Sequence, residues 1–187
     1  MIRTNTEANK QNIILTGFMG CGKTSAGKAA AGLLGMCFLD IDSEIERAEG
    51  MAIPDIFKER GEGYFREAES GVVRRLAEEG ITDTVVATGG GIVKNPENMR
   101  LLREMGLIVY LSASPEKLLA NIGKTGQHKR PLLDVPDPEG EIGRLLKERE
   151  PLYRGFCDVI VDCGLLDVDE TVRKIVEIWK DLRNWFL

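Results

Sequence analysis

Short apolar runs separated by longer helical stretches repeat along the chain, and this alternation sets the first expectations. Asn12 to Thr16 (NIILT) is a compact apolar run closed by glycine and predicts a buried strand. Lys23 to Leu34, rich in alanine, leucine and lysine, predicts a helix. Cys37 to Leu39 predicts a second strand, and Ser43 to Ala48 opens another helix. Ile53 to Arg60 predicts a helix with Pro54 in its first turn. Gly61 and Gly63 should interrupt it before Tyr64 to Glu79 resumes, with Phe65, Ala68, Val72, Val73 and Leu76 on one side.

The second half continues the pattern. Thr84 to Ala87 predicts a strand that runs into three glycines, Asn95 to Met105 a helix, and Leu107 to Leu111 a strand. Pro115 to Ile122 predicts a helix and Lys124 to Asp137 a polar, proline-bearing loop. Glu139 to Glu150 predicts a helix, Val159 to Asp162 a strand, and Val168 to Asn184 a closing helix. Strands separated by helices imply an α/β fold, a mostly parallel sheet with helices on both faces. Ligands in such folds sit at the carboxyl ends of strands. The unusual motifs of this chain fall there.

Composition narrows the function classes. The 187 residues suit one domain, 1–187, with a polar tail over 1–10. A net charge of -5 gives no general basic field for nucleic acid. No apolar run reaches the length of a membrane span, and the start lacks the apolar stretch of a signal peptide. The cysteines (Cys21, Cys37, Cys157, Cys163) form no CxxC pair, so free thiols in a reducing cytoplasm are expected. One histidine, His128, leaves no mechanism that needs a histidine pair.

The segment Gly17-Phe18-Met19-Gly20-Cys21-Gly22-Lys23-Thr24 fits GxxxxGK[ST] between a predicted strand and helix. Its glycines let backbone amides surround phosphate oxygens, and the helix amino terminus adds positive potential. Lys23 reaches terminal phosphates and the Thr24 hydroxyl suits Mg²⁺. Asp40 and Asp42 follow the second strand. Alternation along an extended segment would put them on one side, one serving the ion and one a substrate hydroxyl. Equally, Asp42 or Ser43 could cap the next helix.

Arg66 and Glu69 lie one helical turn apart. They are either a solvated surface bridge or an arginine held to grip a carboxylate. Gly89, Gly90 and Gly91 suit backbone that approaches a ligand closely, or a plain loop. Lys124, Lys129 and Arg130 concentrate positive charge in the loop over 123–137, which could act as a lid over a transferring phosphoryl group. Arg149 at a helix end has a sufficient structural reason in the helix dipole.

The ordered set GFMGCGKTSAGK, FLDID, FRExE at Phe65 to Glu69, TGGGIV, KRPLL and REPLY resembles the shikimate kinase family, over about Ile13 to Asp162. The resemblance implies a three-layer α/β/α fold of the nucleoside-monophosphate-kinase type, with a five-stranded parallel sheet and a mobile lid. It implies phosphorylation of shikimate by ATP to 3-phosphoshikimate, on the route to chorismate and the aromatic amino acids. Gly20, Cys21, Gly22, Lys23, Thr24 and Ser25 would wrap the ATP phosphates, with Thr24 and Asp40 serving Mg²⁺. Asp42 would meet the ring hydroxyls and accept the proton. Arg66, oriented by Glu69, and Arg149 would hold the carboxylate, and the Gly89–Gly91 turn, through Gly90, would offer backbone to the substrate. Arg130 would be the lid arginine at the phosphates. Lys124 stands where the family often has an arginine packing on adenine. A monomer acting on a small molecule, with no nucleic acid or membrane partner, is expected. The alternatives are a gluconate or nucleotide kinase of the same fold, or a catalytically silent nucleotide-binding homologue. A GTPase is disfavoured because no NKxD motif appears.

Overall fold

A computed structural model describes residues 11–125, 133 and 135–185. Five parallel strands form one sheet: β1 (Asn12–Thr16), β2 (Cys37–Asp40), β3 (Thr84–Ala87), β4 (Gly106–Ser112) and β5 (Val159–Asp162). Their spatial order is β2-β3-β1-β4-β5. The chain leaves β1 toward one edge and later crosses back to the other, so the strand order reverses beside β1. Such a reversal opens a crevice at the carboxyl ends of the strands, and β1 and β3 flank it here.

Seven helices are described: α1 (Lys23–Leu34), α2 (Ile41–Glu49), α3 (Ile53–Glu79), α4 (Pro96–Met105), α5 (Pro115–Thr125), α6 (Pro138–Phe156) and α7 (Val168–Trp185). Successive strand residues point to opposite faces, so the sheet divides the interior into two cores. Ile13, Leu15 and Val109 join α1, α5 and α7 on one side. Ile14, Val86 and Ile108 join α2, α3 and α4 on the other. Both faces are covered, which is why the Ile13–Leu15 centre of NIILT is apolar without alternation. Beside Thr16, Asn12 carries a buried polar side chain in that strand. Its amide donates to the Ile81 and Met105 carbonyls at 2.8 and 2.9 Å and accepts from the Thr84 amide at 3.0 Å, tying strand starts together.

Several predicted boundaries shift for identifiable reasons. α2 follows β2 directly, because the Asp40 carboxylate accepts from the Asp42 and Ser43 amides and caps the helix. Neither Asp42 nor Ser43 is the cap, and Asp42 stands in the first turn instead of on an extended segment. In α3 only Gly61 breaks the helix, at φ 82° and ψ 169°; Gly63 is helical. A single 3-10 turn at Ile92–Lys94 precedes α4, whose amino terminus Asn95 caps. α5 extends to Thr125, so the loop expected from Lys124 starts later. α6 starts at Pro138 and runs through Pro151 to Phe156, not to Glu150. A proline in a helix removes one amide donor, and α6 continues past that loss. The lid residues His128, Lys129 and Arg130 lie outside the described residues.

Candidate functional site

The carboxyl ends of β1, β2 and β3 open into a cavity of about 1000 Å³. The loop after β1 forms one wall. Gly17, Gly20 and Gly22 take φ of 145°, 83° and 93°, which side chains rarely adopt. Close approach forbids a side chain at two of them. A Cβ on Gly17 would stand 2.5 Å from the Leu111 carbonyl, and one on Gly20 2.9 Å from Ile122. Lys23, buried at the start of α1, donates to the Gly17 and Phe18 carbonyls at 2.8 and 2.9 Å and to the Cys21 Sγ at 3.6 Å. Ser25 lines the cavity beside it. Asn121 on α5 braces the loop by donating to the Gly20 carbonyl at 2.9 Å.

The Thr24 hydroxyl donates to Asp40 Oδ2 at 2.7 Å. A hydroxyl and a carboxylate at a phosphate loop are the hard oxygen donors that Mg²⁺ prefers. Asp42, in the first turn of α2, lines the same cavity. Its Oδ1 is buried without a hydrogen-bond partner among the described residues. Burial, then the charges of Asp40 and Glu69, push its pKa up to about 7, against the opposing pull of Lys23 and Arg66.

Arg66 and Glu69 are not a solvated pair. Glu69 is 1% exposed, and its Oε2 accepts from Arg66 Nη1 at 3.0 Å. Glu62, one turn earlier, accepts from Arg66 Nε and Nη2 at 3.2 and 3.0 Å. Three of the five guanidinium N–H groups are thus engaged, which leaves one on each terminal nitrogen. That pair is a ready fork for a carboxylate. Burial lowers the Arg66 pKa, yet Glu69 and Glu62 outweigh it and hold it above the usual arginine range. Burial raises the Glu69 pKa despite Arg66 and Arg149.

The three glycines after β3 are required by these neighbours. A Cβ on Gly89 would sit 2.8 Å from Glu69 Oε1 and 2.9 Å from Asp42 Oδ1. A Cβ on Gly91 would fall onto the Arg66 guanidinium, and one on Gly90 would press the Met19 amide at 3.1 Å. This turn is therefore the seam between the phosphate loop, the carboxylates and Arg66. Arg149 reaches the same seam. It lies inside α6 at 1% exposure, so the helix-end explanation for it fails. Its Nη1 donates to the Gly90 carbonyl at 3.2 Å, and the guanidinium lies 5.8 Å from the Phe18 ring centroid.

Every predicted site residue within the described region except Cys21, whose side chain is buried in the core beside the loop, thus lines one cavity. Glu62, Asn121 and Tyr153, which donates to the Gly90 carbonyl, were not singled out from sequence. Glu62 stands four residues before Arg66 and Tyr153 four after Arg149, so helical spacing carried a signal for both. Asn121 carried none.

A parallel sheet with a phosphate loop on its central strand, set against carboxylates and two sheltered arginines, defines a P-loop kinase for a small anionic acceptor. The family model "Shikimate kinase" matches residues 19–180. Shikimate kinases of Caldanaerobacter subterraneus subsp. tengcongensis and Thermoanaerobacter pseudethanolicus are each 43% identical over 174 residues, 93% of this chain and 99% of each relative. Shikimate kinase from Acinetobacter baumannii, solved in complex with shikimate, superposes with a TM-score of 0.86 at 37% identity, covering 93% of this chain and 95% of that one. The chain belongs to the shikimate kinase family, and it is a phosphotransferase.

Proposed function

We propose that the chain moves the γ-phosphoryl group of ATP to the 3-hydroxyl of shikimate through the residues gathered around this cavity. The Gly20–Ser25 amides bind the nucleotide phosphates. Lys23 exchanges its contacts with the Gly17 and Phe18 carbonyls for phosphate oxygens. Arg130, which lies outside the described residues, adds positive charge from the lid side. Thr24 and Asp40 would hold Mg²⁺, which when bound supplies charge neutralisation at the phosphates.

Arg66 and Arg149 take the shikimate carboxylate, and the Gly89–Gly91 turn offers it close backbone. Asp42 accepts the proton as the ring oxygen bonds to the γ-phosphorus and the bond to ADP breaks. The observation that carries this reading is the buried Asp42 oxygen, without a partner among the described residues, held with the Arg66 fork and the phosphate loop in one cavity. A carboxylate with a pKa near the working pH suits a general base. Phosphorus NMR of the reaction with ATP, Mg²⁺ and shikimate tests it. A single new phosphate monoester at the 3-position is expected. ATP consumption without that ester would overturn it.

A further inference from the structure

Tyr153 lies on α6 one turn beyond Arg149, and no role in the reaction described above belongs to it. Its ring is fully buried and stacks on Tyr110, with centroids 4.9 Å apart and planes 14° from parallel. Its hydroxyl donates to the Gly90 carbonyl, the same oxygen that accepts from Arg149 Nη1. A carbonyl has two lone pairs, and here both have a donor. Burial keeps the phenol protonated far above the usual tyrosine range, so the donor persists at any working pH. Gly90 in turn abuts the Phe18–Met19 backbone of the phosphate loop.

We infer that Tyr153 is a positioning residue for the acceptor: its hydroxyl fixes the Gly90 carbonyl and so sets where Arg149 presents its remaining donors. The inference rests on the assignment of Arg149 to the shikimate carboxylate. The ring and the hydroxyl do separable work. The ring fills the core against Tyr110, and the hydroxyl locates the turn. Without the hydroxyl, Arg149 is the sole donor to the Gly90 carbonyl among the described residues, and the two are free to shift together. The phosphate loop keeps its own braces at Lys23 and Asn121.

The test is steady-state kinetics of the full chain with ATP and shikimate, together with thermal unfolding. Tyr153→Phe is expected to raise the KM for shikimate about three- to tenfold, the effect of losing one neutral hydrogen bond. The KM for ATP should stay within about twofold and the Tm within a few degrees. Tyr153→Leu, which also removes the ring, should lower the Tm clearly, because it opens a cavity. 3-Fluorotyrosine at position 153 keeps the donor and should restore the wild-type KM for shikimate. Unchanged shikimate KM in Tyr153→Phe overturns the inference. So does a Tm loss in Tyr153→Phe as large as in Tyr153→Leu, which would make the hydroxyl purely structural. If the unaltered chain did not phosphorylate shikimate, the functional reading itself would fail, which is a separate result.

Discussion

Asp42 carries opposing demands in a single side chain. Burial and two neighbouring carboxylates raise its pKa to about 7, so in the free protein it binds a proton that the unfolded chain, at 3.8, releases. Below about pH 4 both states are protonated and Asp42 costs nothing. Between about 4 and 7 the folded state loses ground as pH rises, and above 7 the loss is constant. Asp42→Asn removes that penalty, and we expect the Tm at pH 8 to rise by a few degrees, a gain of order 1–2 kcal/mol. The same substitution should lower kcat by about 10²-fold or more, because the proposed proton acceptor is gone. Thermal melts and initial rates of one preparation check both. For the unaltered enzyme, kcat/KM for shikimate should fall as pH drops below about 7, where Asp42, facing Asp40, Glu69, Lys23 and Arg66, becomes protonated.

Arg66 makes the complementary prediction. Charge-assisted hydrogen bonds contribute about 1.5–3 kcal/mol each, so Arg66→Ala should raise the KM for shikimate roughly ten- to a hundredfold. The ATP KM should hardly move. A parallel rise in both constants would separate Arg66 from the acceptor.

At the scale of elements, the informative features are joints. α3 bends at Gly61, whose φ of 82° and ψ of 169° belong to a region that is essentially glycine's alone. Beyond its chain neighbours and the local helix backbone, no atom of the described residues stands within 4 Å of where a Cβ would be, so Gly61→Ala is a test of backbone strain without a clash. We expect a loss of about 1–3 kcal/mol in stability, read by denaturant unfolding. Gly91→Ala is the opposite case, since an added Cβ would fall onto the Arg66 guanidinium while the glycine's φ is ordinary. It should raise the KM for shikimate about tenfold or more with a small change in Tm, because the Arg66 fork must move.

These joints also mark where the sequence was legible. Apolar runs located all five strands: the central β1, β3 and β4 are buried on both faces and leave a continuous signal, while the edge strands β2 and β5 are short and only partly buried. Helix ends were less legible. A reading that stops helices at proline cut α6 short at Glu150 and so assigned Arg149 to a helix terminus. The side chain of Asp40 ended β2 and started α2 at once, which alternation along an extended segment did not anticipate. For the candidate site, the phosphate loop and the triple glycine were plain. Whether Arg66 with Glu69 was a surface bridge or a sheltered clamp turned on burial, which spacing along one helix does not carry.

At the scale of the whole molecule, the fold brings together residues from 17 to 149 because the reversal beside β1 sets two loops against each other. The phosphate loop follows β1, the three glycines follow β3, and α6 lays Arg149 and Tyr153 across both. The two halves of the cavity differ in chemistry. One presents amides, an ammonium and hard oxygen donors, the other two arginines and a buried carboxylate. Under the proposed function the first takes the nucleotide and the second selects the acceptor, so the choice of acceptor is the sharpest probe.

That probe is ATP consumption measured side by side with shikimate, gluconate and nucleoside monophosphates, in Mg²⁺ at saturating ATP. Turnover with shikimate is expected at least about a hundredfold above the others, in line with what a mismatched buried polar site imposes. Equal or faster turnover with gluconate or a nucleotide would contradict it.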